Sequence, residues 1–419
     1  MDDAGWVAAH DEGSRPRQLL ILAVFLVLVA LAIQQPVLVL LGLLCLLVVL
    51  AALLWRRFGL RGVTYGRTLS APRAFPGDEL ILELTLENRK LLPLPWLEVV
   101  DEFPKSLTFL DVTVEPSTKP RVVVFRSLFT LGSYQRVRRR YRFRCTARGS
   151  LHFGPALIKT GDVFGLAKQE TEMSDDTALL VYPRLLSLPA LGLPAADPFG
   201  DTRPRRFLLE DPLQPASVRP YVAGDAPRRI HWRASARTMS LQSREYERTA
   251  LPTIAIFLDV NTFEHFWEGV DPQRLELAIS AAASLAARGL AERRQVGLYV
   301  NAPMEGGERF VRIRPSRHPR QLARLLEALA LLVPYSGFRI EALLEREVRV
   351  LPPGLTLVVV TSLPTPALEE TLARLYRGGH SITLLVIGTR PDLPERNGFR
   401  VYALGSEVPV ADLDTFELA

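Results

Sequence analysis

Two long apolar blocks near the N-terminus constrain this chain more than any other feature of its sequence. Residues 19–33 and 37–55 contain no charged side chain, and only Gln34, Gln35 and Pro36 separate them. A helix needs about 20 apolar residues to cross the hydrocarbon core of a membrane. Because proline disfavours helix in the residue before it, the Gln-Gln-Pro sequence predicts a tight turn. The blocks therefore predict a transmembrane helical hairpin, whose helices satisfy their own backbone hydrogen bonds in lipid.

The basic residues around the hairpin predict its orientation. The hairpin occupies residues 19–57 and follows a tail over residues 1–18, and the turn between its helices carries no charge. Arginines flank both ends, namely Arg15 and Arg17 before the first block and Arg56, Arg57, Arg61 and Arg67 after the second. By the positive-inside rule, the tail and the bulk of the chain lie in the cytoplasm.

A cleaved signal peptide is the alternative interpretation of the first block. Arg15 and Arg17 then form its basic region, and Ala30-Leu31-Ala32 resembles a cleavage site. Two observations argue against it: the tail is also acidic, and a second apolar block follows almost at once. We favour the hairpin for these reasons.

Composition limits the remaining possibilities. A chain of 419 residues suggests about three modules. Two cysteines are too few for a disulfide scaffold or a cysteine-rich zinc module. The net charge is +6, and only five of the 51 basic residues are lysine. We attribute the arginine excess to coding bias, so it predicts no binding to nucleic acid.

Residues 60–182 have the pattern of an all-β sandwich, because short alternating strands lie between Gly, Pro and Asn breaks. One strand places Leu80, Leu82, Leu84 and Leu86 on one face. In another, over residues 136–145, Val137, Arg139, Tyr141, Phe143 and Cys145 face one way and Arg136, Arg138, Arg140, Arg142 and Arg144 the other. The arginine face is interpreted as a solvated strand face; a sensor that binds anionic lipid is the alternative.

The rest of the chain predicts a connecting segment and an α/β domain. Residues 183–250 form the connection, and its first part, 183–218, is rich in Pro, Leu and Gly with little periodicity. In residues 251–419, apolar strands alternate with helices, which predicts a mainly parallel, Rossmann-like sheet covered on both faces. Strands are predicted at 253–260, 295–300, 309–314, 355–361 and 381–387, and helices at 272–288, 319–332, 339–348 and 367–377.

The most distinctive stretch lies within residues 219–247. Gly224 and Asp225 predict a turn and a helix cap, and Pro227 suits a first helical turn, so a helix is predicted over residues 226–238. The side chains of Asp225, Arg229, Arg233 and Arg237 would then lie four apart on one side. Two interpretations stay open: a docked amphipathic helix whose charges pair with Asp225, Glu245 and Glu247, or a recognition surface for a partner or an anionic ligand.

This stretch resembles the signature of the bacterial family called domain of unknown function 58. The matching residues are Arg219, Tyr221, Gly224, Asp225, Arg229, Ile230, Trp232, Ser235, Ala236, Arg237, Glu245 and Glu247. Upstream motifs, such as Val181-Tyr182-Pro183, and the N-terminal hairpin are similar to the family as well. The resemblance implies a bacterial inner-membrane protein associated with a MoxR-type AAA+ ATPase, with other membrane von Willebrand factor A-like proteins, or with an envelope-related system. It implies no catalytic residues and no cofactor.

The C-terminal domain resembles a von Willebrand factor A-like fold, which often holds Mg²⁺ through Asp-x-Ser-x-Ser after its first strand. Here the motif is Asp259-Val260-Asn261-Thr262-Phe263, and a phenylalanine cannot ligate a metal. The later strand ends in Val360-Thr361-Ser362-Leu363, without the expected acid. Asp259 and Asn261 are therefore interpreted as a degenerate site that holds no metal.

Motifs of common enzymes are absent from the sequence. There is no P-loop and no Gly-x-Ser-x-Gly elbow, and the six histidines show no zinc-binding spacing. Glu264, His265 and Glu268 form a weak cluster that we interpret as surface. The favoured hypothesis is an interaction or scaffold protein without catalysis of its own. The alternative is a hydrolase-like enzyme that uses Asp225 and His231 on an anionic substrate.

Overall fold

The chain folds into two compact units, Met1–Val181 and Tyr182–Ala419. The structure is a computed structural model. It describes residues 15–166, 168–174, 177–187, 189–191, 193, 215–222, 225–246, 253–307, 309–352, 354–388 and 398–405.

The first unit begins with two packed helices, α1 (Arg15–Ile33) and α2 (Pro36–Phe58). The predicted turn between them is confirmed, since Pro36 occupies the first turn of α2. A side chain at Gly42 would place its Cβ 2.9 Å from Val27, so the glycine lets the two backbones approach closely. Among the described helices, α2 alone is long and apolar enough to cross a membrane, and the apolar part of α1 is shorter. A signal sequence near the N-terminus satisfies the same criteria, so the two-span hairpin stays a prediction.

The C-terminal end of α2 is tied to the β structure that follows it. The indole Nε1 of Trp55 donates a hydrogen bond to the carbonyl of Pro93 at 3.1 Å. The ammonium of Lys90 donates to the carbonyl of Gly59, just past the helix, at 2.6 Å. These bonds satisfy polar groups at the helix end and join it to the β domain of the same unit.

The β domain of the first unit consists of packed sheets. Its strands are β1 (Val63–Leu69), β2 (Arg73–Ala74), β3 (Glu79–Asn88), β4 (Leu94–Pro104), β5 (Leu107–Phe109), β6 (Glu115–Pro116), β7 (Val122–Leu131), β8 (Arg136–Cys145), β9 (Gly149–His152), β10 (Ala156–Gly161), β11 (Lys168–Met173) and β12 (Ala178–Val181). The two larger sheets have the orders β1-β3-β8-β5 and β11-β10-β4-β7-β6, and a smaller sheet has the order β2-β12-β9. One buried cluster joins side chains of β3 and β8 to Phe103 on β4 and Phe125 on β7, as in a sandwich core.

The alternation predicted for β3 is confirmed, and that of β8 is confirmed from Tyr141 onwards, whereas Arg139, predicted on the same face, is exposed. Leu80, Leu82, Leu84 and Leu86 are all buried, as are Tyr141, Phe143 and Cys145. The even-numbered arginines of β8 are exposed and paired with carboxylates. The pairs are Arg136 with Glu87, Arg138 and Arg140 with Glu83, Arg142 with Asp111, and Arg144 with Glu79. Because these carboxylates offset most of the positive charge, the pairing supports a solvated strand face over a lipid-binding surface.

The α/β part of the second unit is doubly wound. Its elements are β15 (Thr253–Leu258), α4 (Pro272–Ala291), β16 (Gln295–Val300), β17 (Val311–Ser316), α5 (Gln321–Ala330), α6 (Ile340–Val348), β18 (Thr356–Thr361), α7 (Pro366–Arg377), β19 (Ser381–Ile387) and β20 (Arg400–Leu404), preceded by β13 (Pro215–Pro220), α3 (Trp232–Thr238) and β14 (Gln242–Tyr246). The sheet has the order β17-β16-β15-β18-β19-β20, and only β17 pairs antiparallel. The predicted, mainly parallel sheet is therefore confirmed.

Helices cover both faces of this sheet. Helices α6 and α7 pack on the face that carries Phe257 and Val359, in one buried cluster. Helices α4 and α5 contact each other, and α4 also contacts β15, β16 and β18. Ile256 and Val358, one residue along each strand, are equally buried. Since successive side chains of a strand point to opposite faces, α4 and α5 cover the second face.

The connecting segment matches its prediction in part. Residues 183–185 are irregular, as predicted, although Leu185 and Leu186 are buried and the amide of Leu186 donates to the Ser284 hydroxyl at 2.7 Å. Residues 215–220 form β13, which pairs antiparallel with β14. The sequence of β13 has no apolar alternation. Backbone pairing with β14 holds this strand in place, rather than burial of one of its faces.

Candidate functional site

The family-like signature folds as a small module that we call the signature module, residues 215–246. Its frame is the antiparallel pair of β13 and β14, which continues through a bridge between Ile230 and Ser243. A 3₁₀ turn (Pro227–Arg229) and helix α3 lie between the two strands in sequence. Residues distant in the sequence are thus brought together by strand pairing.

The predicted helix over residues 226–238 is wrong at its N-terminal half. The chain makes one 3₁₀ turn and then extends at Ile230, where ψ is 126°, before α3 begins at Trp232. The reason is tertiary: Ile230 bridges to Ser243, which removes it from any continuous helix. The predicted row of charges from Asp225 through Arg237 on one helix face therefore does not form.

Asp225 does not cap the helix; it forms an ion pair with Arg219. The guanidinium nitrogens of Arg219 donate to the two carboxylate oxygens at 2.7 and 2.9 Å, and the amide of Val222 donates to Oδ2 at 3.2 Å. The Tyr221 hydroxyl donates to the carbonyl of Asp225 at 3.2 Å. The hydrogen bond from Arg219 lowers the pKa of Asp225 below its usual value. The pair closes the turn after β13 in a bidentate geometry.

His231 and Ser235 hold the start of α3. The Nδ1 atom of His231 accepts a hydrogen bond from the amide of Ala234 at 3.1 Å, which makes the histidine the helix cap. The hydroxyl of Ser235 donates to the carbonyl of His231 at 3.1 Å and accepts from the amide of Gln242 at 2.8 Å. Within the described residues, Asp225 and His231 bind different partners. In these contacts Asp225 closes a turn and His231 caps a helix.

The outer side chains of the signature module are strongly apolar and basic. Trp232 is 68% exposed and Met239, at the left-handed C-cap of α3, is 92% exposed. Val218, Val222 and Leu241 are exposed as well, and so are the arginines Arg233, Arg237 and Arg244. Exposed large apolar side chains within so short and internally bonded a segment are typical of an interaction surface.

Some of the remaining signature residues lie outside the described residues, and Arg229 lies within them. Gly224 and Glu247 lie outside the described residues, as does the side chain of Glu245, whose backbone pairs with Ser217. Arg229 ends the 3₁₀ turn and is partly buried. Asp225, which one of the two interpretations paired with the helix charges, binds Arg219. The other carboxylates of that interpretation, Glu245 and Glu247, have side chains outside the described residues.

A second polar constellation lies at the carboxyl end of the parallel sheet. Asp259 follows β15 and is 3% exposed. Its Oδ1 accepts hydrogen bonds from Asn301 Nδ2 at 2.7 Å and from the amide of Asn261 at 3.1 Å, and its Oδ2 accepts from the Thr361 hydroxyl at 3.0 Å. Asn301 follows β16 and Thr361 ends β18, so three neighbouring strands supply this cluster.

The side-chain atoms around Asp259 do not fit as ligands of a magnesium ion. The Asn301 amide turns its NH₂ group towards Asp259, because its oxygen accepts from the amide of Val260 at 3.0 Å. Phe263 offers no ligand atom, and the described residues contain no group of three His, Cys, Asp or Glu side chains arranged for a metal. The sequence pattern identified Asp259 and Asn261, but it missed the roles of Asn301 and Thr361. In the sequence, only the position of Asn301 and Thr361 at the ends of predicted strands could have pointed to these roles.

The protonation of Asp259 predicts a pH dependence of stability. Burial raises the pKa of Asp259 to about 6, although its three hydrogen bonds act in the opposite direction and lower this pKa. Because the folded state then binds its proton more tightly than the unfolded state, this carboxyl stabilises the fold more at pH 5 than at pH 8, by about 1.4 kcal/mol. The Asp259→Asn variant should lack this additional stability at pH 5. Hydrogen exchange of β15 and β18 peptides at both pH values measures it; equal pH dependence in the two proteins would contradict the assignment.

Together, the fold and the two constellations define a protein with an apolar N-terminal helix, a β-sandwich and a doubly wound α/β unit that carries the signature module. The family model described as "Protein of unknown function DUF58" matches residues 217–396. "Uncharacterized protein YeaD" of Bacillus subtilis (strain 168) is 26% identical over 224 residues, which are 53% of this chain and 54% of that protein. The chain thus spans about half the length of the curated relative it matches.

Two solved structures are similar to parts of the chain. The cupredoxin domain of amoB from Nitrosocaldus yellowstonii matches with 16% identity and a TM-score of 0.18, over 29% of this chain and 87% of that domain. A cohesin module of a family 33 glycoside hydrolase from Clostridium perfringens matches with 10% identity and a TM-score of 0.21, over 28% of this chain and 96% of that module.

Proposed function

We propose that this protein is a membrane-anchored interaction protein without catalysis of its own, and that the signature module is its partner-binding surface. The observation that carries the proposal is the exposure of Trp232 and Met239 on a module that Asp225, His231 and Ser235 hold together through internal hydrogen bonds. Exposed tryptophan and arginine are the residues that most often dominate binding energy in protein interfaces. Since Arg233 and Arg237 accompany the apolar side chains, the complementary surface is apolar and acidic.

The anchor in this proposal is the pair α1 and α2, both of which span the bacterial inner membrane. Support comes from the packing of α1 on α2 through Gly42 and from the arginines that follow α2. The bulk of the chain then lies in the cytoplasm. The α/β unit is a von Willebrand factor A-like domain in this proposal, supported by its doubly wound sheet and by Asp259 after the first strand.

The partner is a MoxR-type AAA+ ATPase or another membrane von Willebrand factor A-like protein of an envelope-related system. The support is the resemblance to the family, together with the family model's match over the signature module and most of the α/β unit. A cytoplasmic ATPase has direct access to a module on the cytoplasmic side of the membrane.

Crosslinking in native membranes, followed by mass spectrometry, tests the interaction. The wild-type protein should recover an ATPase, and Trp232→Ala should lower that recovery at least tenfold, since truncation of a central interface tryptophan costs about 2 kcal/mol or more. Asp225→Ala, which releases Arg219 and opens the turn, should lower it as well. The association should weaken as salt concentration rises, because its basic rim is screened.

Val350→Ala serves as the matched control, since Val350 is an exposed apolar residue of the same unit outside the signature module. It should recover the ATPase as the wild type does. If Trp232→Ala and Asp225→Ala both leave every recovered partner unchanged, the signature module is not the binding surface.

A further inference from the structure

A cleft opens at the carboxyl edge of the parallel sheet, and none of its described lining residues belongs to the signature module. From β15 the chain continues into α4, and from β18 it continues into α7, on the opposite face of the sheet. Such a reversal of winding leaves a crevice between the two strands, and ligands of open α/β sheets bind there. The cleft here has a volume of about 400 Å³, which suits a small organic group or a single side chain.

The floor of the cleft is a buried carboxylate that lacks a cation. Asp259 lines the cleft, and among the described residues no Arg, Lys or His forms an ion pair with it. Its oxygens accept three hydrogen bonds from the described residues, whereas a carboxylate offers about four acceptor positions. A buried carboxylate is costly unless it is paired, so a positively charged group bound in the cleft would offset the cost of burying Asp259.

The walls of the cleft favour the same sign of charge. Glu264 and Glu341 line it, and the Glu341 carboxylate is held in place by the Thr365 hydroxyl, which donates to Oε1 at 2.5 Å. Arg339 and His265 are the basic side chains among the described lining residues, and the three carboxylates outnumber them. An organic cation therefore matches the charge of the cleft, and an anion does not.

Exposed aromatic rings line the cleft. Trp267 is 68% exposed and stacks on His265, with ring centroids 4.4 Å apart and planes 7° apart. Tyr335, which is 62% exposed, also lines the cleft. Exposed aromatic faces attract cations, and a planar guanidinium both stacks on such a face and pairs with a carboxylate.

We propose that this cleft binds a guanidinium group, which pairs with the carboxylate of Asp259 and stacks on the rings of Trp267 and Tyr335. Such a group is carried either by an arginine side chain of a protein or by a small free guanidinium compound. The cleft is a second binding site, independent of the signature module.

Calorimetric titration of the full-length protein in detergent tests this proposal. The probes are N-acetylarginine amide and N-acetylcitrulline amide, which has the same shape but no charge. The arginine compound should bind at least ten times more tightly than the citrulline compound. Asp259→Asn and Trp267→Ala should each weaken its binding at least tenfold, a change worth about 1.4 kcal/mol.

Asp259→Asn preserves the local structure, because an asparagine still accepts from Asn301 and Asn261 and donates to the Thr361 hydroxyl. Trp267→Ala removes a largely exposed side chain together with its stacking contact to His265. Glu370→Gln, which removes an exposed carboxylate on α7 outside the cleft, should bind like the wild type. Equal binding of the two probes, undiminished binding by Asp259→Asn, or binding of Mg²⁺ without binding of the arginine probe would each overturn the proposal.

Two further probes identify the source of the guanidinium. Tighter binding of the tripeptide Gly-Arg-Gly than of methylguanidine supports an arginine side chain of a protein. Equal or tighter binding of methylguanidine supports a small free compound. Both results sustain the guanidinium site, and failure of the ATPase interaction leaves it untouched.

Discussion

Replacing Arg67 by methionine is expected to destabilise the β-sandwich by about 3–5 kcal/mol, the usual cost of leaving one partner of a buried ion pair uncompensated. The side chains of Arg67 and Asp101 are both fully buried. The guanidinium binds the Asp101 carboxylate and donates to the carbonyl of Gly154 at 2.6 Å, and the Tyr65 hydroxyl donates to the same carboxylate. Burial raises the pKa of Tyr65 well above its usual value, which keeps the hydroxyl protonated as a donor.

Hydrogen exchange of β4 peptides in the full-length protein measures this loss. Arg144→Met is the matched control, because Arg144 pairs with Glu79 at the surface and such pairs contribute at most about 1 kcal/mol. The double variant Arg67→Met with Asp101→Leu should recover at least half of the loss, since both charges are then gone. A single variant within 1 kcal/mol of the wild type would show that the buried pair is not a major source of stability.

Replacing Gly297 by alanine is expected to destabilise the α/β unit by about 1–3 kcal/mol through overpacking. Gly297 lies inside β16, where a Cβ would meet the nitrogen of Pro315 at 2.8 Å and the carbonyl of Ile313 at 2.9 Å. These are backbone atoms of β17, so the neighbouring strand must shift. The register of β16 and β17 is irregular at this point, which shows that the close approach belongs to the native pairing.

Thermal unfolding of the second unit, followed by hydrogen exchange in β16, checks this expectation. Gly405→Ala is the control, because nothing lies within 4 Å of a Cβ built at Gly405. If the alanine at position 297 lowers stability no more than the alanine at position 405, β17 can move away without cost and the proposed clash is wrong.

Local patterns in the sequence were sufficient to predict both N-terminal helices and most elements of the α/β sheet domain, but only some strands of the β domain. The apolar blocks became α1 and α2, the leucine alternation became the buried face of β3, and β16 and β19 begin and end at the residues predicted for them. Each of these signals is local, because side-chain periodicity within a helix or strand depends only on which face is buried. The strand β13 lacked such a signal and was missed.

The candidate sites were predicted only in part. The signature stretch is recognisable from its residues, but the exposure of Trp232 and Arg237 is visible only in the structure. The partner of each charge was not predictable, since it depends on contacts between distant residues. Arg67 was counted with the charges that flank the membrane hairpin, but it is buried against Asp101, 34 residues further along the chain.

Sequence alone therefore predicted two apolar N-terminal helices, a β domain, a mainly parallel α/β domain and the likeness to a family signature. Tertiary structure alone decided that Arg219 pairs with Asp225, that Thr361 reaches Asp259 across 102 residues, and that acidic and aromatic side chains meet in one cleft. The physical reason is that periodicity reports burial, which is a property of each segment, whereas the pairing of charges depends on strand order and register. Those are set only when the separate segments pack together.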